Sequence, residues 1–264
     1  MDERIGVMTR YPIILVHGLA LRQSKAIRAF GKIENVLREG GYTVFVADID
    51  AFGSIENNAQ QLKDFVLGVL TETEAEKVNI IAHSKGGLDS KYMITALGME
   101  DKVASLTTLC TPHRGSIIAS WIWALPRWLK RYLAFIINCF YKLVGDKNPD
   151  AMRACEQLKH VDESADTLCF SDKVYCQSYS TNLRRGRDCF LMGLPMTLYK
   201  HYERVDNDGM VSDESSKFGN YRGECLDMSV SHLQIVDFMA KKSQRERIFG
   251  FYVGLCRELC EMGY

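Results

Sequence analysis

The amino-acid sequence predicts an α/β fold in which a mostly parallel central sheet is flanked by helices. Short apolar segments of strand length alternate with amphipathic helical segments, the alternation typical of parallel strands joined by helices. The strand segments are almost continuously apolar, as strands buried on both faces are. The chain has 264 residues, 47% of them apolar, enough for one domain with a substantial core.

The first four elements are predicted in the order strand, helix, strand, helix. Residues 13–16 (IILV) have the length and composition of a buried strand. Apolar residues at helical spacing predict an amphipathic helix over 26–40, which the glycine pair Gly40-Gly41 ends. A second strand is predicted over 42–47, and Ser54 then caps a helix that runs to about Leu70.

A serine lies where the next strand passes into the next helix, in the sequence AHSKGG around Ser84. The strand is predicted over 78–81 and the helix over 88–97. This arrangement is typical of a nucleophile elbow, whose sharp turn requires small residues two positions before and after the serine. Ala82 and Gly86 meet that requirement. Ser84 is therefore the candidate nucleophile, and an ordinary strand-to-helix turn is the alternative interpretation.

A His-Gly pair, His17-Gly18, directly follows the first strand. Backbone N–H groups at the carboxyl end of a parallel strand lie where α/β folds bind ligands. We interpret the N–H groups of Leu19 and Lys85 as the two donors of an oxyanion hole. His17 is expected to support this loop. A plain glycine turn is the alternative, and the presence of Ser84 favours the oxyanion hole.

Asp208 and His232 are the candidate partners of the serine. Asp208-Gly209 has turn chemistry, and His232 follows 24 residues later (232 − 208). His232 would take the proton from Ser84, and Asp208 would fix the imidazole tautomer and stabilise its cation. Asp206 is the alternative acid. The remaining histidines are weaker candidates for the base: His83, His113, His160 and His201.

An apolar insert, residues 117–170, follows the strand predicted over 103–109. Charged residues and Pro126 interrupt its apolar run, so no transmembrane segment is predicted. Two short amphipathic helices around Pro126 are expected instead, followed by a polar helix and loop over 150–170. The insert contains all three tryptophans of the chain, Trp121, Trp123 and Trp128.

We interpret the insert as a mobile helical lid within a single domain spanning residues 1–264. Its tryptophans would contact the substrate over an apolar acyl pocket, and the open lid would touch a lipid surface transiently. A buried helical pair is the alternative.

Charge and cysteine content bear on partners and compartment. Lys+Arg and Asp+Glu both number 33, so no net field attracts nucleic acid. Nine cysteines without metal-ligand spacing argue against a complete disulfide framework and against a metal site. No signal peptide is recognised, so a cytoplasmic protein is predicted; secretion of a processed form is compatible with the same sequence.

These motifs resemble those of bacterial triacylglycerol lipases and carboxylesterases of the α/β-hydrolase superfamily. The resemblance covers residues 13 to about 238, and the chain order Ser84, Asp208, His232 is that of α/β-hydrolase triads. It is carried by the segments VHG (16–18), AHSKGG (82–87), TPHRGS (111–116), NDGMV (207–211) and SHL (231–233).

The resemblance implies an α/β-hydrolase fold in which these three residues are nucleophile, acid and base. It also implies that the insert after Ser116 is the lid. Some relatives hold a calcium ion near the catalytic histidine, but the corresponding positions here are Gln234 and Phe238. That calcium site is not expected, and neither is the zinc-binding insertion of other relatives.

The predicted function is therefore that of a serine hydrolase cleaving carboxylic esters, an esterase or a lipase, through an acyl-enzyme and without metal or organic cofactor. Its substrate would be a small-molecule ester or a lipid. An acyltransferase or thioesterase on the same fold is the alternative. A binding module without catalysis is a third possibility, against which the intact Ser-Asp-His set argues.

Overall fold

A six-stranded sheet forms the centre of the computed structural model, which describes residues 8–23, 28–159 and 173–264. All its neighbouring strands are parallel, in the order β2-β1-β3-β4-β5-β6. The strands are β1 (Ile13–Val16), β2 (Val44–Val46), β3 (Val78–His83), β4 (Val103–Leu109), β5 (Tyr175–Ser180) and β6 (Asn220–Glu224). This is the α/β-hydrolase architecture that the sequence predicts.

Helices cover both faces of the sheet and its carboxyl end. In the part of the chain that the structure describes they are α1 (Ile33–Glu39), α2 (Ile55–Thr73), α3 (Lys85–Ala96), α4 (Ile117–Ala124), α5 (Arg127–Val144), α6 (Ala151–Gln157), α7 (Phe190–Tyr202), α8 (Asp213–Ser216) and α9 (Lys242–Glu261). No helix among these described residues is long and apolar enough to cross a bilayer.

The alternation of side chains along β1 divides the core into two layers. Ile13 and Leu15 pack on one face of the sheet, in the cluster that contains the buried side chains of α1 and α9. Ile14 and Val16 pack on the other face, with those of α2 and α3. Because a parallel strand is covered on both faces, every residue of β1 is buried. The two layers hold the carboxyl ends of the strands in place, and the site residues project from those ends.

The first helix begins later than predicted. The expectation was a helix over 26–40, whereas α1 begins at Ile33; residues 26 and 27 lie outside the described part. Gly31 has a φ of +49°, and a Cβ on it would lie 2.5 Å from a carboxylate oxygen of Asp237. The backbone N–H of Lys32 donates to the same carboxylate at 3.0 Å. This turn, which packs against Asp237, replaces the first turns of the predicted helix.

The insert contains the two helices expected around Pro126, but the second, α5, has 18 residues and is not short. The polar helix after Asp150 is α6, and residues 160–170 of the insert, with His160, lie outside the described residues. Three elements are not predicted from the sequence, and one of them is the short helix α8. The other two are α7, which contains Pro195, and the exposed edge strand β6.

Candidate active site

Ser84 occupies a strained turn between β3 and α3. Its φ of 55° and ψ of −132° lie in a region that residues with a side chain rarely adopt. The turn is held by its backbone, because Ser84 N–H donates to the carbonyl of Leu109 at 2.9 Å. The carbonyl of Ser84 accepts from Gly87 N–H at 3.0 Å and from the Thr111 hydroxyl at 2.9 Å. These bonds stabilise a conformation that presents the serine side chain at the end of the sheet.

Three glycines allow the backbone to approach this closely. A Cβ on Gly86 would lie 2.4 Å from the carbonyl oxygen of His17, and one on Gly87 would lie 2.1 Å from the Thr111 hydroxyl. A Cβ on Gly18 would lie 2.5 Å from Ser84 Cβ. The small residue that the sequence analysis required at position 86 is thus a steric necessity, and the loop after β1 packs directly on the serine.

The structure brings Ser84, His232 and Asp208 into one hydrogen-bonded row. The Ser84 hydroxyl donates to His232 Nε2 at 2.9 Å, and His232 Nδ1–H donates to Asp208 Oδ2 at 2.7 Å. Because a carboxylate only accepts, this pattern assigns a proton to Nδ1. All three side chains are buried. In this geometry the free electron pair of Nε2 faces the serine proton.

Backbone groups fix the Asp208 carboxylate. Its Oδ1 accepts from the N–H groups of Met210 and Val211, both at 2.8 Å, and its own carbonyl accepts from His232 N–H at 3.0 Å. Asp206, the alternative acid, has 65% of its side chain exposed and lies 4.0 Å from Lys200. The structure therefore places Asp208, and not Asp206, beside the imidazole.

His83, the residue before the serine, contacts His232, the candidate base. Its Nε2–H donates to the backbone carbonyl of His232 at 2.9 Å, and the two rings lie 4.5 Å apart. Burial, together with the neighbouring His232, holds the pKa of His83 well below its usual value. His83 is therefore neutral at neutral pH. The sequence contained no signal for this contact, because it joins residues far apart in the chain.

The remaining histidines within the described residues make no hydrogen bond to Ser84, His232 or Asp208. His17 Nδ1–H donates to the carbonyl of Gly18 at 3.0 Å, which matches its expected support of the loop. His113 lies 3.1 Å from the Thr108 hydroxyl and stacks on a phenylalanine. His201 lies on α7 beside Tyr202.

Of the two expected oxyanion donors, one adjoins Ser84 in the chain and the other follows a residue packed against it. Leu19 follows Gly18, which packs against the serine, and Lys85 is the first residue of α3. The first N–H groups of a helix have no acceptor within the helix and lie at its positive end. The N–H of Lys85 is thus suited to a developing negative charge, and the role of the Leu19 N–H stays a prediction.

A buried ion pair lies beneath the turn. Lys85 Nζ is 2.7 Å from Asp89 Oδ1, and both side chains are 1% exposed. Burial raises the pKa of Asp89 to about 6, although Lys85 and the Asn58 amide stabilise its anion. The sequence does not reveal this pair, because a Lys and an Asp four residues apart ordinarily lie on a helix surface.

Cys110, Asp208 and His232 are close enough to suggest a metal site, with ligand atoms within 4.8 Å of one another. The donor set argues against one. Both oxygens of Asp208 are already taken by hydrogen bonds, and burial together with that charge raises the pKa of the Cys110 thiol well above its usual value. A neutral thiol, 3.2 Å from the Thr181 hydroxyl, is a poor metal ligand.

The three tryptophans of the insert have different surroundings. Trp121 packs edge-on against Tyr202 of α7 at 5.0 Å. The Trp123 ring lies beneath Lys130 Nζ at 4.1 Å. Trp128 is 71% exposed. Their expected contact with substrate stays a prediction.

Two aspartates fasten the insert to the strand ends. The carboxylate of Asp146, just after α5, accepts from Arg22 at 2.8 Å and from the N–H groups of Ala51 and Phe52. Asp50 accepts from the N–H groups of residues 147 and 148 at 2.6 and 2.7 Å. The carboxyl end of α5 is therefore tied to the loop that carries the candidate oxyanion donor and to the loop after β2.

Comparison with known proteins shows that the chain is similar to lipases. Residues 10–119 match the family Lipase (class 2). The chain is 27% identical to triacylglycerol lipase 2 of Saccharomyces cerevisiae, in an alignment covering 88% of this chain and 73% of the yeast protein. It is 38% identical to triacylglycerol lipases of Pseudarthrobacter phenanthrenivorans and Burkholderia plantarii. Those alignments cover 57% of this chain and 50% and 45% of the two relatives. The chain thus spans about half the length of these bacterial enzymes.

Solved structures agree on the fold. A Bacillus licheniformis lipase in its mature form matches with a TM-score of 0.62 at 19% identity, over 90% of this chain and 91% of its own. A metagenomic carboxyl esterase matches with a TM-score of 0.72 at 16% identity, over 94% of this chain and 76% of its own.

Proposed function

We propose that this chain, which has the α/β-hydrolase fold, is a carboxylic ester hydrolase like the triacylglycerol lipases it resembles, and that Ser84 is its nucleophile. The observation that carries the proposal is the continuous row from the Ser84 hydroxyl through His232 to the Asp208 carboxylate, with distances of 2.9 and 2.7 Å. A hydroxyl becomes nucleophilic when a neighbouring base takes its proton, and a third group must hold that base in the right tautomer.

The proposed reaction proceeds through an acyl-enzyme. As Ser84 Oγ attacks the ester carbonyl carbon, its proton moves to His232 Nε2. Asp208 stabilises the resulting imidazolium, and the N–H groups of Leu19 and Lys85 stabilise the oxyanion, each donor contributing about 3 kcal/mol. The imidazolium then protonates the leaving alcohol. Water, deprotonated by the same imidazole, hydrolyses the acyl-enzyme and regenerates the serine.

We propose esters of apolar acyl chains as the substrate class. The insert is apolar and follows β4 directly, so its helices α4 and α5 lie at the end of the sheet where the strands deliver the reacting residues. As a lid, it would cover the acyl chain in the closed state and contact a lipid surface when open. The names of the relatives, triacylglycerol lipases and a carboxyl esterase, support this class.

Hydrolysis of p-nitrophenyl esters, from acetate to palmitate, tests the proposal. We expect Ser84→Ala to reduce kcat/KM by about 10⁴-fold or more, because the nucleophile is lost. The matched control is Ser243→Ala on the exposed surface of α9, which should leave the rate unchanged. The preferred chain length distinguishes an esterase from a lipase. Equal rates in wild type and Ser84→Ala would contradict the proposal.

A further inference from the structure

Two buried glutamines face each other beside the loop that carries His232. Gln234 is 1% exposed, and Gln244, in the first turn of α9, is 5% exposed. Gln234 Nε2 donates to Gln244 Oε1 at 3.2 Å, and Gln244 Nε2 donates to Gln234 Oε1 at 3.4 Å. Glutamine is seldom buried this deeply, and the proposed reaction uses neither side chain. We refer to the two residues as the amide pair.

Both ends of the Gln234 amide are also bonded to the backbone. Its Oε1 accepts from Ser231 N–H at 3.0 Å, and its Nε2 donates to the carbonyl of Asp188, just before α7, at 3.0 Å. The backbone N–H of Gln234 donates to the carbonyl of Ser231 at 3.0 Å. Since Ser231 directly precedes His232, Gln234 ties the residue next to the base to a distant part of the chain.

The Gln244 amide is bonded to the backbone in the same way. Its Oε1 accepts from the N–H of Lys241, which precedes α9, at 2.9 Å. Its Nε2 donates to the carbonyl of Ser229, three residues before His232, at 3.0 Å. The loop is therefore fixed at two points, one to each glutamine, and through them to the start of α9.

The chemistry of these contacts requires amides. The four backbone partners are two N–H groups, which need acceptors, and two carbonyls, which need donors. An amide side chain supplies one of each, whereas an ionised carboxylate only accepts and a hydrocarbon does neither. Loss of either amide would leave buried backbone groups without partners, which is costly.

The loop around His232 has no regular structure of its own to hold it. Residues 229–233 lie outside every helix and strand. The imidazole must nevertheless stay 2.9 Å from the Ser84 hydroxyl and 2.7 Å from the Asp208 carboxylate. Reacting groups have to be held within about 0.5 Å of their productive positions. Because a shift of this loop would move the imidazole away from both partners, what fixes the loop bears on catalysis.

We infer that the amide pair, Gln234 and Gln244, positions His232 for ester hydrolysis. Both are positioning residues, because they hold the loop of the base and touch none of the reacting atoms. The bond from Lys241 N–H to Gln244 also caps α9, but a helix cap alone does not account for the bonds to Ser231 and Ser229. The inference rests on the proposed function, since it takes His232 as the base.

Steady-state hydrolysis of p-nitrophenyl butyrate, well below the unfolding temperature, tests the inference. Gln234→Met keeps the length of the side chain and removes its hydrogen bonds. We expect kcat to fall roughly ten- to a hundredfold with KM nearly unchanged, because the base is displaced while substrate binding is not. Labelling of Ser84 by an alkyl fluorophosphonate should slow by a similar factor.

Gln234→Glu is the conservative variant, compared with wild type at about pH 6. Burial raises the pKa of a carboxyl group, and the protonated form offers both an acceptor and an O–H donor. It should therefore recover most of the kcat that Gln234→Met loses. Gln244→Met should lower kcat in the same way as Gln234→Met, so the test does not depend on the folding of one variant.

The matched control is Val66→Ala, on α2 at the face of the sheet opposite α9. The cavity it creates lowers the melting temperature without touching the loop, and kcat should be unchanged. The inference is overturned if the folded methionine variants lose no more kcat than Val66→Ala, or if Gln234→Glu is as impaired as Gln234→Met. A fully active Ser84→Ala would refute the proposed function itself. An inactive Ser84→Ala beside fully active glutamine variants would refute this inference alone.

Discussion

At the scale of single residues, hydrogen bonds decide which aspartate is the acid of the proposed triad. Asp208 accepts from two backbone N–H groups and from His232, whereas Asp206 is mostly exposed. We expect Asp208→Asn to lower kcat by about 10³–10⁴-fold, because an amide favours the wrong imidazole tautomer. Asp206→Asn is the matched control and should change kcat little. Ester hydrolysis assays of the two variants measure this, and equal losses would contradict the assignment.

His83 is expected to act as a positioning residue, through its hydrogen bond to the carbonyl of His232. His83→Phe leaves that carbonyl unpaired, so we expect kcat to fall roughly tenfold with KM nearly unchanged. His83→Gln carries an N–H that can reach the same carbonyl and should recover most of the loss. If the phenylalanine and glutamine variants are equally impaired while both remain folded, the hydrogen bond is not what matters.

At the scale of elements, the nucleophile turn depends on the absence of side chains at its glycines. Gly86→Ala would place a methyl group 2.4 Å from the His17 carbonyl oxygen. We expect it to displace α3 from the loop after β1 and to lower stability by about 2 kcal/mol or more, together with most of the activity. Thermal unfolding and ester hydrolysis measure the two effects.

Gly254→Ala is the control, since nothing lies within 4 Å of a Cβ added there, in the middle of α9. It should raise stability by about 0.5–1 kcal/mol, because alanine is the better helix former. Equal effects of the two glycine substitutions would show that close packing at Gly86 is unimportant.

An element can be predicted from the sequence when the pattern that specifies it lies within its own residues. The strands β1 and β4 have the predicted bounds, because continuous apolar runs leave little choice, and Ser54 caps α2 through a bond from Asn57 N–H. The helix α7 contains a proline and exposes Phe190 and Leu194, so neither propensity nor periodicity indicated it. It is held by tertiary contacts, such as Met192 against Gly209.

In the candidate site, too, the features specified by neighbouring residues are the ones that the sequence predicts. The serine turn and the order of the three residues were recognisable because they are local motifs in a known succession. The buried Lys85–Asp89 pair and the contact of His83 with His232 were not, because each depends on burial or on residues distant in sequence. The choice between Asp206 and Asp208 likewise needed the fold.

At the scale of the whole molecule, buried neutral histidines make stability depend on pH. Burial lowers the pKa of His17, His83 and His113 in the folded state. As pH falls below about 6.5, the unfolded chain takes up protons that the folded protein does not, so stability decreases by up to about 1.4 kcal/mol per pH unit for each histidine. The pKa of Asp89 is raised to about 6, so between that pH and the ordinary pKa of an aspartate the folded protein takes up a proton that the unfolded chain does not. This uptake stabilises the folded protein as pH falls, which opposes the effect of the histidines.

Because three histidines act against one aspartate, we expect denaturant unfolding to show a clear loss of stability between about pH 7.5 and pH 5.5. His113→Gln should reduce that loss by the contribution of one group, since its amide can replace the contact with the Thr108 hydroxyl. Identical stability of the wild type at both pH values would contradict this account.

The net charge of the whole chain conceals a local excess of basic residues. The balance of 33 basic and 33 acidic residues was the reason to expect no nucleic-acid partner. The same balance hides a segment of the insert without acids, and only the exposed side chains of α5 show that this local excess borders an apolar surface. Net charge therefore bears on long-range fields and does not describe a local excess of one sign.

The most direct measurement of the central claim is covalent labelling by an alkyl fluorophosphonate followed by peptide mass spectrometry. Only an activated serine reacts rapidly with such a reagent, displacing fluoride. The account predicts one adduct, on the peptide containing Ser84, with labelling abolished in Ser84→Ala and strongly slowed in His232→Gln. A folded protein that hydrolyses esters but carries its adduct on another residue, or none, would contradict it.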